Sequence, residues 1–329
     1  PLKGRALCLS AALLWSTSGL FIKTLTGAPH LTGGGGAGWS GWQVAGLRSL
    51  IAGFVLLALA PTPRAAGLAR RGAEPDGGRW LWPSRHQWVI ALFLAPTVLF
   101  YVLAQTFTST ANAIFLQYTA PLYVLALAPW LLKEPLKMRD FAAMGAMLAG
   151  IALILSFDPE ALDGPSGILA GHRFGSAMAL LSGVCFAGTI LSLRKWRDGA
   201  PTSRGQDGVL GAAWGNFLAA AVALPVAAFF SNGAGGLTAP TLSSAAQILF
   251  LGIFQIGVAY YLFQLSVRTL SAAEASILTL AEPLACPLWS YLAIGEKPVS
   301  GAVWGGAVIV ATLALHSLAA AKDGAEKAT

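Results

Sequence analysis

Arg48, Glu282 and Gln255 have the types and positions to do chemistry, because each lies inside an apolar stretch. An arginine there cannot shed its charge, since a guanidinium stays protonated to above about pH 12. It must meet a carboxylate, backbone carbonyls or water. Its planar fork suits a substrate carboxylate and a structural tie alike. Glu282 stands directly before Pro283, whose missing N–H leaves a carbonyl unpaired nearby. That carboxylate can carry a proton, pair with Arg48 or satisfy the helix break. Gln255 offers an amide that binds either a carboxylate or an ammonium, or simply joins two helices.

Other polar and aromatic side chains lie at similar depth. Trp15 and Ser16 fall at the middle of the first apolar run, too deep for an interfacial belt. Tyr101 lies in the third run, and Asn112, Gln117 and Tyr118 give the fourth a polar face. Tyr260, Tyr261 and Gln264 form a mouth or an aromatic belt in the eighth. The candidate substrate ligands are therefore Gln255, Trp15, Ser16, Arg48, Tyr101, Gln117, Tyr118, Asn216 and Tyr260. Glu282 is the proton-carrying or structural carboxylate, and Pro121 and Pro283 break their helices. Trp39, Trp42, Trp80, Trp82, Trp88 and Trp304 read as interface anchors, and Glu274 as a solvated or capping residue.

Other chemistry is disfavoured. His30, His86, His172 and His316 lie far apart in sequence, in loops or near the ends of apolar runs, which argues against a metal or nucleophile–base site. Cys8, Cys185 and Cys286 show no paired spacing and read as buried apolar groups. No GxxxxGK[ST] loop occurs, and Gly33 to Gly36 read as a flexible turn without a preceding strand. No cofactor is expected, and the chain does not read as an enzyme.

The elements that carry these residues follow from composition. The 329 residues are 56% hydrophobic and 11% charged. Soluble domains carry about 25% charged residues. That excludes a soluble enzyme, a nucleic-acid module and a disordered chain. The net charge of +7 is then a matter of membrane topology, since Lys and Arg collect in cytoplasmic loops. A bilayer-crossing helix needs about 20 apolar residues. The sequence predicts ten, at about 5–25, 40–60, 87–107, 111–132, 140–157, 174–194, 209–230, 244–266, 272–294 and 299–320. The stretch from Pro61 to about His86 reads as a polar loop. Only Arg173 and Lys297 occupy odd-numbered loops, and only Lys23 and Arg48 fall within spans; all other Lys and Arg lie at the ends or in even-numbered loops. Both termini are thus expected in the cytoplasm.

The sequence also repeats itself. TANAIFLQYTAPL, from Thr110 to Leu122, aligns with AAEASILTLAEPL, from Ala272 to Leu284. Pro121 and Pro283 coincide, as do Glu134 and Glu296; Gly4 matches Gly175, Lys23 matches Arg194, and Arg48 matches Asn216. Ala120 is the counterpart of Glu282, so any proton role would be one-sided. Each half, 1–157 and 158–329, holds five helices, and an odd number inverts the second copy. Glu296 should then face outside and Glu134 the cytoplasm. Inverted repeats suit alternating access, with substrate held between the halves.

Two five-helix halves, LRSLIAG in the second span, proline in the fourth helix of each half, and the KEP and GEKP turns resemble EamA-type transporters of the drug/metabolite transporter superfamily. The likeness spans about residues 4–320 and extends to the bacterial aromatic-amino-acid exporters. It implies an all-α polytopic membrane protein, with ten transmembrane helices in two inverted five-helix repeats around a central cavity. The expected function is secondary export of small organic solutes, foremost amino acids, aromatic ones included, across the bacterial inner membrane. Efflux of amphipathic drugs or cations, or a facilitative solute channel, are the alternatives. The expected partners are a small-molecule substrate and the lipid bilayer, without nucleic acid, and a monomer is the expected functional unit.

Overall fold

The computed structural model describes residues 2–27, 38–60, 82–133, 136–156, 166–195, 204–230, 237–266, 269–270 and 272–326. His30, Gly33 to Gly36, most of the polar loop after Pro61, Trp80, Glu134 and the 157/158 repeat junction lie outside the described residues. Among the described residues, ten helical spans are long and apolar enough to cross a membrane: span 1 Leu2–Thr26, span 2 Gly41–Leu59, span 3 Arg85–Phe107, span 4 Thr110–Leu131, span 5 Met138–Ser156, span 6 Gly171–Lys195, span 7 Gly208–Phe229, span 8 Leu242–Ser266, span 9 Glu274–Ile294 and span 10 Ser300–Ala320. Each matches a predicted span to within a few residues. No strand occurs among the described residues. The face at which span 1 begins is called the terminal face below, and the opposite one the far face.

The ends of the spans are set by side chains that satisfy orphan backbone N–H groups. Ser40 accepts from the Gln43 N–H, and Ser109 from that of Asn112. Ser84 with Gln87, and Thr241 with Ser244, form reciprocal capping boxes. Gly27 and Gly295, at φ of 60° and 71°, close spans 1 and 9 in the left-handed region that a side chain would strain.

Among the described residues, four spans are interrupted. Span 1 breaks at Thr17, span 4 at Tyr118 and Thr119, and span 9 at Leu280, while span 8 widens into a π-helix over Leu251–Val258. Two of these breaks have a common cause. Pro121 cannot donate to the Gln117 carbonyl, nor Pro283 to that of Thr279, so each helix loses the bond that would carry it through. In span 4, Gly183 of span 6 lies against the freed Gln117 carbonyl, where an added Cβ would come within 3.1 Å. In span 9, the Tyr118 hydroxyl reaches the freed Thr279 carbonyl at 3.1 Å.

The halves interdigitate rather than lie side by side. Span 2 packs along span 7, span 3 along spans 6 and 7, span 5 along span 10, and span 1 along spans 8 and 9. Glycines make the tightest crossings: a Cβ on Gly305 would collide with the Gly150 carbonyl oxygen, so spans 5 and 10 touch backbone to backbone. Trp39 departs from expectation. It is buried against the core rather than anchored at an interface, whereas Trp82, Trp88 and Trp304 are exposed.

Candidate functional site

A buried polar cluster forms where span 1 breaks. Ending the helix at Ser16 and restarting it at Ser18 turns Ser18 toward span 3. There its Oγ lies 2.9 Å from the Tyr101 hydroxyl. Gln105, one helical turn further along span 3, donates its Nε2 to the same hydroxyl at 2.9 Å. Cys286 of span 9 places its Sγ 4.0 Å from that oxygen. Spans 1, 3 and 9 thus meet on Tyr101, which is only 6% exposed.

Arg48 supplies the charge. It is 3% exposed, and its Nε and Nη1 have no hydrogen-bond partner among the described residues. Its backbone carbonyl lies against Gly252, at the start of the π-helical segment, where an added Cβ would come within 3.0 Å. Buried donors on a permanent cation are costly unless something fills them. The unpaired acceptors Gln105 Oε1, Gln255 Oε1 and Asn216 Oδ1 are buried as well. Arg48 thus presents open donors, and the three amides open acceptor oxygens, at buried positions of their spans.

Glu282 does not pair with Arg48. Its Oε2 lies 2.8 Å from the Tyr118 hydroxyl, which also faces the Thr279 carbonyl. One hydroxyl proton therefore faces two acceptors. A proton on the Glu282 carboxyl would let both be satisfied. Both side chains are half-buried, unlike Tyr101.

A third group surrounds Trp15. Its carbonyl accepts a long 3.4 Å bond from Gln255 Nε2, and its ring packs on Tyr260 at 5.8 Å and on Phe263 at 5.3 Å. Tyr260 therefore belongs to an aromatic wall. Ser16 donates to the Leu13 carbonyl and accepts from Trp289 Nε1 at 2.9 Å.

Some expected ligands are engaged elsewhere. Gln117 donates to Ser182 of span 6, which donates to the Thr97 carbonyl of span 3, so Gln117 ties three helices. Asn216 returns its Nδ2 hydrogen to Ala212 in its own helix. Glu274 pairs with Arg5 at 2.6 Å on the surface. The expected central cavity is closed in this arrangement: Arg48, Tyr101, Gln105, Ser18 and Cys286 are all buried. Sequence reading missed Ser18, Gln105, Cys286 and Trp289. The spacing of Gln105 from Tyr101, one turn on the same helix face, was the available signal.

Comparison with known proteins agrees with this architecture. A solved crystal structure is similar over 98% of this chain and 99% of its own, at 21% identity and a TM-score of 0.60, which shows the shared fold. An uncharacterized transporter of Archaeoglobus fulgidus is 28% identical over 236 residues, or 72% of this chain and 76% of that protein. The model of the EamA-like transporter family matches residues 2–156 and again residues 173–318, one copy for each set of five spans. With two copies together covering most of its length, the chain belongs to the EamA-like transporter family, within the drug/metabolite transporter superfamily.

Proposed function

We propose that this protein is a secondary transporter that exports amino acids and related small metabolites by alternating access. Its site lies between the two repeats, 1–157 and 158–329. The observation that carries the reading is Arg48, buried at 3% exposure with two guanidinium nitrogens unpaired. Arg48 takes the substrate carboxylate, and the open amide oxygens of Gln105 and Gln255 take the ammonium. The Trp15, Tyr260 and Phe263 rings favour an aromatic or apolar side chain. The charge asymmetry of the loops supports cytoplasmic termini and a bacterial inner-membrane location, with the far face toward the periplasm. A monomer suffices, since both inverted halves are in one chain.

One observation favours a second reading. Glu282 is a half-exposed carboxylate at the centre of span 9, the kind of group that would attract an amphipathic cation. Proteoliposome exchange separates these readings from each other and from a channel. Saturable tracer uptake, accelerated by unlabelled amino acid inside, supports the carrier. Uptake that neither saturates nor responds to internal solute points to a channel, and exchange of organic cations alone points to efflux.

A further inference from the structure

A buried ionic cluster lies at the far face. Lys23, near the end of span 1, and Glu296, in the turn between spans 9 and 10, are each 4% exposed, with their charged atoms 3.6 Å apart. Glu296 accepts from the Thr110 backbone N–H at 2.7 Å and from the Thr110 hydroxyl at 2.6 Å. Lys23 donates to the Thr108 carbonyl at 2.6 Å. Ser290 Oγ donates to Thr110 Oγ1, and Thr108 Oγ1 lies 2.9 Å from His172 Nε2 of span 6. Buried ion pairs add little net stability over apolar packing, because desolvation offsets their attraction; their best-attested use is to specify one arrangement among several.

Packing shows which arrangement is specified. At the far face, Thr110–Gln117 of span 4 packs on Ala281–Ile294 of span 9 and on span 10, and Ser18–Thr26 of span 1 packs on spans 2 and 3. An inverted repeat has an equivalent for each contact at the terminal face. The first would join Ala272–Thr279 of span 9 to Ala120–Leu131 of span 4. Instead, Ala120–Leu131 packs on spans 5 and 6, and Ala272–Thr279 on spans 1 and 10. No packing of comparable extent joins those two segments among the described residues. The symmetry is broken in one sense: together at the far face, apart at the terminal face.

We propose that the Lys23–Glu296 pair, clasped by Thr108 and Thr110, is the far-face gate of this transporter, a role that rests on the alternating-access reading above. Spans 1 and 9 form one jaw and carry both charges; spans 3 and 4 form the other and carry the groups that hold them. Opening withdraws the pair as a unit, so neither charge loses its partner, while water entering the mouth replaces Thr108 and Thr110. The Ser18–Tyr101 and Cys286–Tyr101 contacts cross the same seam deeper in the molecule. The gate and the Tyr101 cluster therefore part along one line.

Cys286, beneath this seam, is a native reporter. In a Cys8→Ala/Cys185→Ala background, a membrane-impermeant maleimide is applied to spheroplasts and, separately, to inverted vesicles, which identifies the side from which it enters. Glu296→Gln and Lys23→Met each remove one charge of the pair. Either should raise far-side labelling of Cys286 at least ~10-fold over the background. Lys23→Arg, which keeps the charge, should label within ~3-fold of it. Should a charge variant fail to fold, Thr110→Val removes one bond to Glu296 while keeping both charges, and is read the same way. Unchanged far-side labelling in folded variants overturns the gate. The labelling needs no substrate, so its outcome stands apart from that of the exchange assay.

Discussion

The Tyr118 hydroxyl lies 2.8 Å from Glu282 Oε2 and 3.1 Å from the Thr279 carbonyl, so the broken middle of span 4 is bonded to the broken middle of span 9. These positions are repeat-related, since Tyr118 aligns with Leu280, where span 9 is interrupted. Two helices that each lost a backbone bond to proline thus share one side chain. In the alternating-access reading proposed above, such a break is where the halves of each span would tilt separately.

The shared proton makes Glu282 testable. If Glu282 is held neutral, Glu282→Gln can donate to Tyr118 and should leave the unfolding midpoint within about 2 °C of wild type. Glu282→Ala should cost about 1 kcal/mol by removing its hydrogen bond to Tyr118, and Tyr118→Phe about 1–2 kcal/mol by leaving Glu282 and the Thr279 carbonyl without that partner. Thermal unfolding in detergent reads both effects. A Gln variant as unstable as the Ala variant would show that the ionised carboxylate is the form held.

Arg48 should discriminate by chemistry rather than by size. Arg48→Lys keeps the charge but loses the fork, and Arg48→Met loses both. With a carboxylate substrate, KM should rise at least ~10-fold in Arg48→Met and by less in Arg48→Lys. Apparent affinity for uncharged or cationic solutes should change little. Equal losses for all solutes would assign Arg48 to scaffolding.

Helix approach predicts a contrast between glycines. A side chain at Gly305 meets the Gly150 backbone, whereas Gly145 has nothing within 4 Å of an added Cβ. Gly305→Val should destabilise the bundle by about 2 kcal/mol or more, and Gly145→Ala should be neutral or slightly stabilising. Comparable melting temperatures for the two variants would contradict the close crossing of spans 5 and 10.

The two ion pairs should behave differently. Arg5 and Glu274 meet at 2.6 Å, but their side chains are 53% and 39% exposed, so Arg5→Ala should cost no more than about 1 kcal/mol. Lys23→Met, which strands Glu296 in a buried site, should shift unfolding further. Matching shifts would mean that burial does not govern these pairs.

The ten spans were legible because each is an unbroken apolar run of bilayer length, and Pro121 and Pro283 announced two breaks by removing a donor. The interruption at Thr17 and the π-helix around Gln255 have no proline behind them. At the first, Ser16 and Thr17 donate to the Leu13 and Leu14 carbonyls, a local competition that apolar periodicity does not register. Depth alone grouped Gln117 and Asn216 with Tyr101, although Gln117 ties spans 3, 4 and 6. Glu282 and Arg48 looked like natural partners as the two deep opposite charges. Tyr118 bonds Glu282 instead, because the Pro283 break turns span 9 toward span 4. Lys23 and Glu296 were recognisable from their repeat counterparts, but their meeting across the whole chain depends on the fold.

The most direct test of the carboxylate site is counterflow in proteoliposomes, with an amino acid inside in one set and its decarboxylated amine in the other. Tracer amino acid should enter faster, and saturably, only in the first set, and Arg48→Met should abolish the difference. Equal stimulation by the amine, or stimulation by amphipathic cations alone, would contradict a site built on Arg48 and direct attention to Glu282.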